Sequence, residues 1–146
     1  MGFLEYRRLD EEQGYPVLYT YDGIGLLEIA ARFACDRFIK DGIVYEKTSS
    51  AIEPVTSVIY VQEAGKADPG DKTPPALHGV RVELRQDWEG EPPGLLLQAF
   101  DFSDGAEVVL HLLCDYWFWL GEEWLRTLTV LDEDRRVYVY YAKRAV

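Results

Sequence analysis

The spacing of apolar residues along this chain changes period several times, and each change marks an expected element. Residues 3–9 read as a short strand or an ordered arm, ended by the Gly14-Tyr15-Pro16 break. From Val17 to Tyr21 the period is two, placing Val17, Tyr19 and Tyr21 on one face of a strand. After Asp22-Gly23 the period becomes helical: Ile24, Leu27, Ala31, Cys35 and Phe38 predict one long amphipathic helix over 24–40. Asp22 is its expected N-cap and Gly42 its stop. Glu28, Arg32, Asp36 and Lys40 then form a ladder of i,i+4 pairs along a narrow exposed stripe. The rest of the circumference is mostly apolar, so a curved sheet is expected to wrap it.

Strands are predicted at 42–47 and 55–62. Residues 63–76 are polar and rich in breakers, and are read as a mobile loop. Val80, Val82 and Leu84 alternate with charged residues in a further strand. A turn at 87–94 and a strand at 95–102 follow, and residues 124–131 and 136–142 form a hairpin around Asp132-Glu133-Asp134-Arg135. Residues 103–120 support two readings. Ser103-Asp104-Gly105 suits a hairpin turn, yet Val109, Leu112, Leu113, Tyr116, Trp117 and Leu120 also fit a helix face. A strand is favoured for 106–113, with a second short helix within 104–120 as the alternative. The fold class expected is therefore α+β, a single domain over 1–146. Its helix at 24–40 packs on a curved, mainly antiparallel sheet of about six to eight strands.

Composition narrows the function classes. A chain of 146 residues that is 48% hydrophobic can bury a core without disulfides or a metal. The formal net charge of −11 repels phosphate backbones and anionic lipid. Arg7-Arg8 and Arg135-Arg136 sit beside acidic runs and form no basic patch. No nucleic-acid or membrane partner is expected. The N-terminus lacks a signal pattern and no apolar run approaches a membrane span, so a cytoplasmic protein is expected. Cys35 and Cys114 lie in apolar segments outside any CxxC pair.

Four features carry candidate chemistry. Glu107, His111 and Asp115 share a face on either a helix or a strand, the pattern of a divalent-metal site or of a histidine held between carboxylates. Without an HExxH-type signature they are read as a solvated edge, and no metal or cofactor is assigned. Glu28, Arg32, Cys35 and Asp36 are echoed in spacing by Glu107, His111, Cys114 and Asp115, each set after an Asp-Gly pair. The distances from Asp-Gly to Cys-Asp differ by three residues, so the echo is read as chance. Tyr116-Trp117-Phe118-Trp119, with Trp124, cannot all face one side of an element. Tyr116, Trp117, Trp119 and Trp124, with His111 and Asp115, are the candidate binding surface. His78 is the only other histidine, and no nucleophile motif or phosphate loop accompanies it.

The favoured reading is a non-catalytic domain that binds or regulates a protein partner. One alternative is a small-ligand pocket or minor enzyme using His111 and Asp115 beneath a 63–76 flap. The other is self-association through an open edge of the Tyr- and Val-rich terminal strand.

Overall fold

The structure is a computed structural model and describes residues 2–68, 76 and 78–146. Among these residues, ten strands and two short helices follow one another as β1 (Gly2–Arg8), β2 (Val17–Ile24), α1 (Leu26–Phe33), β3 (Arg37–Lys40), β4 (Ile43–Ile52), β5 (Ser57–Lys66), β6 (Val80–Gln86), β7 (Leu96–Phe102), α2 (Gly105–Leu113), β8 (Tyr116–Trp119), β9 (Glu122–Asp132) and β10 (Val137–Arg144). A single 3-10 turn lies between β1 and β2. All ten strands join one sheet in the order β2-β1-β5-β4-β3-β9-β10-β6-β7, with β8 paired to β9 off this path. Pairing is mixed: β1–β5, β6–β10 and β3–β9 run parallel and the rest antiparallel. The main core lies on one sheet face around Leu4, Tyr6, Phe38, Tyr140 and Leu112. A smaller cluster of Val130, Val137 and Val139 lies on the other. β10 alternates into both, and Val137 to Tyr140 are all buried, as expected of a strand covered on two sides.

This architecture overturns the expected long helix. α1 stops at Phe33, and three residues on Asp36 is tied to a neighbouring strand. Its carboxylate accepts from Thr129 N at 2.9 Å, and its own N–H donates to Thr129 O at 2.9 Å. Phe38 fits the helical period, but it enters the sheet and stacks on Tyr6 with centroids 4.0 Å apart. Long-range pairing has overridden local propensity. The ladder dissolves accordingly. Only Glu28–Arg32 survives, at 3.7 Å, and Arg32 is buried rather than striped on the surface. Asp22 lies in β2 opposite Phe3. Gly25 is the N-cap, with no side-chain bond. Gly42 turns the β3–β4 hairpin.

Residues 106–113 are helical, not a strand. Asp104 caps α2 by accepting from Ala106 N at 2.9 Å, and Val108 and Leu112 face the core. Of the proposed 63–76 loop, residues 63–66 belong to β5, and 69–75 lie outside the described residues.

The chain is two copies of one ββαβββ unit, and the echo read as chance is its trace. Glu28, Cys35, Asp36, Gly42 and Thr48 occupy the same places as Glu107, Cys114, Asp115, Gly121 and Thr127, each pair 79 positions apart. The correspondence extends to single bonds. Lys47 Nζ and Arg126 Nη1 each cap a helix C-terminus, donating to Phe33 O at 2.6 Å and Leu112 O at 2.7 Å. Thr48 and Thr127 stand at matching bulges and donate to Tyr60 O and Tyr141 O at 3.1 and 3.2 Å. Glu5–Arg7 in β1 and Glu83–Arg85 in β6 make the same Nε–Oε1 bond, at 2.9 and 3.0 Å. Both strand turns place two residues at positive φ, Asp41-Gly42 (54° and 74°) and Leu120-Gly121 (49° and 76°), as a type I′ hairpin turn requires. β4 is antiparallel to β3 and β3 parallel to β9, so equivalent strands β4 and β9 run oppositely. The halves are thus turned about half a revolution relative to each other, and α1 meets α2 on a shared face.

Candidate functional site

β8 is the segment that carries half of the candidate surface residues, and strand alternation divides them. α2 ends at Leu113, Cys114 and Asp115 turn the chain, and β8 then pairs with β9 through Trp117↔Trp124 and Phe118↔Glu123. Trp117 points into the core among Phe100 (centroids 4.9 Å apart), His111 (4.8 Å) and Tyr140 (5.0 Å). Trp124 is buried, and its Nε1–H finds no acceptor. Trp119 is half-buried and donates to Gln98 Oε1 at 2.6 Å. Tyr116, Phe118 and Leu120 point the other way and are 53%, 68% and 79% exposed. Trp117 and Trp124 are therefore core residues, while Phe118 and Leu120 are surface groups that the sequence reading left out. A two-residue period through 116–120 was the signal that would have found them.

Glu107, His111 and Asp115 do not converge. His111 Nδ1 lies 2.7 Å from Glu107 O within α2, and its ring packs against Phe102, 4.6 Å between centroids. Asp115 pairs with Arg126 at 3.3 Å. Among the described residues no three His, Cys, Asp or Glu side chains form a metal-holding group. His78 is exposed. Cys35 is buried, and burial pushes its thiol well above the ordinary range, which disfavours the reactive thiolate.

The duplication shows what is unusual about β8. Its twin β3 is sealed on both edges, by β4 and by β9, where Arg37 pairs with Val130 and Phe38 with Leu131. Among the described residues β8 is paired on one edge only, by β9. By the same offset, the segment that would seal β8 is Ala51–Glu53, at the end of β4 and just past it. Its Ile52 is 82% exposed, and Ser50 stands where Thr129 binds Asp36. The seam is thus made once where the repeat offers it twice.

A cleft of about 560 Å³ opens on the helix face, bordered by Glu28, Arg32, Lys40, Glu133, Arg136 and Tyr138. Arg32, buried on α1, donates to Glu133 Oε1 at 3.0 Å and lies 4.3 Å over the Tyr21 ring. Lys40 Nζ is 2.9 Å from Glu133 Oε2, which also accepts from Tyr21 OH. One carboxylate thus ties α1, β2 and β3 to the β9–β10 turn across the two halves. Glu133 was not a sequence candidate, and Arg32 entered only through the helix ladder and the echo. Arg32 occupies the place that His111 takes in the second copy.

Burial resists ionisation of Glu133, but bonds from Tyr21, Lys40 and Arg32 outweigh it and hold the carboxyl below its ordinary range. In acid the unfolded chain therefore takes up this proton before the folded one does. The clamp's contribution is complete above the ordinary carboxylate pKa and is lost as pH falls through the lower folded value. Urea unfolding of Glu133→Gln between pH 3 and 7 is expected to show a penalty at pH 7 that narrows towards pH 3. A penalty independent of pH would mean the charge contributes nothing.

No helix among the described residues is long and apolar enough to cross a membrane. Comparison with protein-family models, with curated proteins and with solved structures gives no match.

Proposed function

We propose that this chain is a non-catalytic protein-binding domain whose contact surface is β8. The observation that carries the reading is the half-sealed strand: β3 is closed into the sheet, and among the described residues its twin β8 keeps a free edge with Tyr116, Phe118 and Leu120 exposed beside it. A free edge offers unpaired N–H and C=O groups to an incoming strand, and exposed aromatics supply affinity. The surroundings favour a basic partner. Asp115 and Glu122 keep 72% and 47% of their side chains exposed, and the chain carries a net −11. Such complementarity speeds encounter and rejects acidic competitors.

The experiment is capture by immobilised protein from the cytosol of the source cells, followed by titration of the purified partner. Tyr116→Ser/Phe118→Ser is expected to weaken binding tenfold or more, and raising salt from 50 to 500 mM to weaken wild-type binding further. Val55→Ser, at an equally exposed residue in the β4–β5 turn, is expected to change nothing. A partner that binds the double variant as tightly as wild type sinks the proposal. Self-association is the second reading, because Ala51–Glu53 of another copy matches the strand that seals β3. It predicts a concentration-dependent dimer in sedimentation velocity that both Phe118→Ser and Ile52→Ser dissolve.

A further inference from the structure

The outward face of β3, opposite the helices, forms the floor of a second cleft of about 530 Å³. Ile39, Val44, Leu128 and Val130 make that floor apolar, and the β6–β7 connection walls it with Trp88 and Pro93. Trp88 is 61% exposed and its ring lies 5.6 Å from that of Tyr141, forming an aromatic lip. This volume falls in the range of small-molecule sites, roughly 300–1,000 Å³, and an apolar floor with few polar groups is their usual make-up.

The charges around this cleft run against the rest of the molecule. In a chain with 26 acidic and 15 basic residues, the cleft is lined by Arg37, Lys66, Arg85 and Arg135 against Asp68 and Asp132. Arg85 and Arg135 are occupied, both donating to the fully buried Glu83, and Arg135 also to Asp132. Arg37 is different. No described carboxylate pairs with it, and its Nε is buried without a hydrogen-bond partner. Arg37 is half-buried, and without a described carboxylate partner its guanidinium charge is left to an anion bound in the cleft. The duplication sharpens the contrast. Arg37 and Ile39 occupy the places of Tyr116 and Phe118, so the same strand face is walled into a cleft in one half and left bare in the other.

We propose that this cleft binds a small aromatic monoanion, a carboxylate or sulfonate. Its charge sits on Arg37, its ring lies against Trp88 and Tyr141, and its body rests on Ile39 and Val130. The site is on the opposite sheet face from the helices and is independent of partner binding at β8.

The test is fluorescence titration of the full chain with 1-anilinonaphthalene-8-sulfonate, with 2-naphthoate as competitor. Wild type is expected to bind one equivalent saturably and to release it to 2-naphthoate. Arg37→Gln is expected to weaken binding about tenfold or more, Arg37→Lys to restore part of it, and Trp88→Ala to weaken it without a change in circular dichroism. Phe118→Ser is expected to leave the affinity unaltered, which separates this cleft from dye adhering to the β8 aromatics. The proposal is overturned if wild type shows no saturable one-site binding. It is equally overturned if Arg37→Gln and Trp88→Ala both bind within twofold of wild type, or if Phe118→Ser abolishes the signal.

Discussion

Glu83→Gln is expected to remove about 3–5 kcal/mol of folding stability, the cost of breaking a buried ion pair from one side. Glu83 is completely buried on β6. It receives Arg135 through two bonds, of 3.2 and 3.0 Å, and Arg85 through a third, of 3.0 Å. A neutral amide leaves two guanidinium groups in a poorly hydrated site with less charge to answer them. For a chain of this size the loss corresponds to a fall of about 10 °C in Tm. The duplication supplies the control. Glu5 occupies the same place on β1 and makes the same bond to Arg7, but its side chain is 17% exposed, and Arg7 keeps Glu53 at 2.9 Å. Glu5→Gln is therefore expected to cost roughly 1 kcal/mol or less. Urea unfolding of the two variants, at unchanged m, measures the difference. Equal losses would show that burial does not distinguish the two pairs.

Much of the strand content was legible because half-buried strands leave a two-residue period. Val17–Tyr21, Val80–Leu84, residues 124–131 and residues 137–142 all fall within observed strands, with Arg136 in the turn before the last. The segments after Cys35 and Cys114 were not legible in the same way. In both, apolar residues fit a helical period, and in both the helix ends before the Cys-Asp pair. What ties Asp36 to the sheet is Thr129, 93 positions away, and no local pattern encodes that contact. The internal repeat was visible but set aside, because Asp22-Gly23 was aligned with Asp104-Gly105. The structure shows these pairs are not equivalent. Asp104 caps α2, and its counterpart ahead of α1 is Gly25. With that pairing the three-residue discrepancy disappears.

At the candidate site the sequence located the right segment and blurred its two faces. A run of four aromatics must divide between core and surface, but which two go inward depends on the phase of β8. The Asp115–Arg126 pair and the Leu120-Gly121 turn lie at its two ends. The clamp at Glu133 was hidden for another reason. Its members come from α1, β2, β3 and the β9–β10 turn, and only the sheet order brings them together. The free edge of β8 could be recognised only after β3 was seen sealed, since openness is a property of the sheet and not of the four residues.

This division of the aromatics carries the second large prediction. Trp117→Ala is expected to cost about 3–5 kcal/mol, the usual loss for a large aromatic cut to alanine in a packed interior. The indole is 8% exposed and touches Phe100, His111 and Tyr140, so its removal leaves a cavity shared by β7, α2 and β10. Phe118→Ser, one residue on, is expected to change stability by no more than about 0.5 kcal/mol, because the ring is 68% exposed. The two substitutions should therefore exchange their effects between assays. Trp117→Ala lowers Tm by about 10 °C, and near full folding at low temperature it retains partner binding. Phe118→Ser keeps its Tm and loses binding. If Phe118→Ser instead unfolds the domain and Trp117→Ala is thermally silent, β8 is turned over relative to the structure, and the proposed surface would then comprise Trp117 and Trp119.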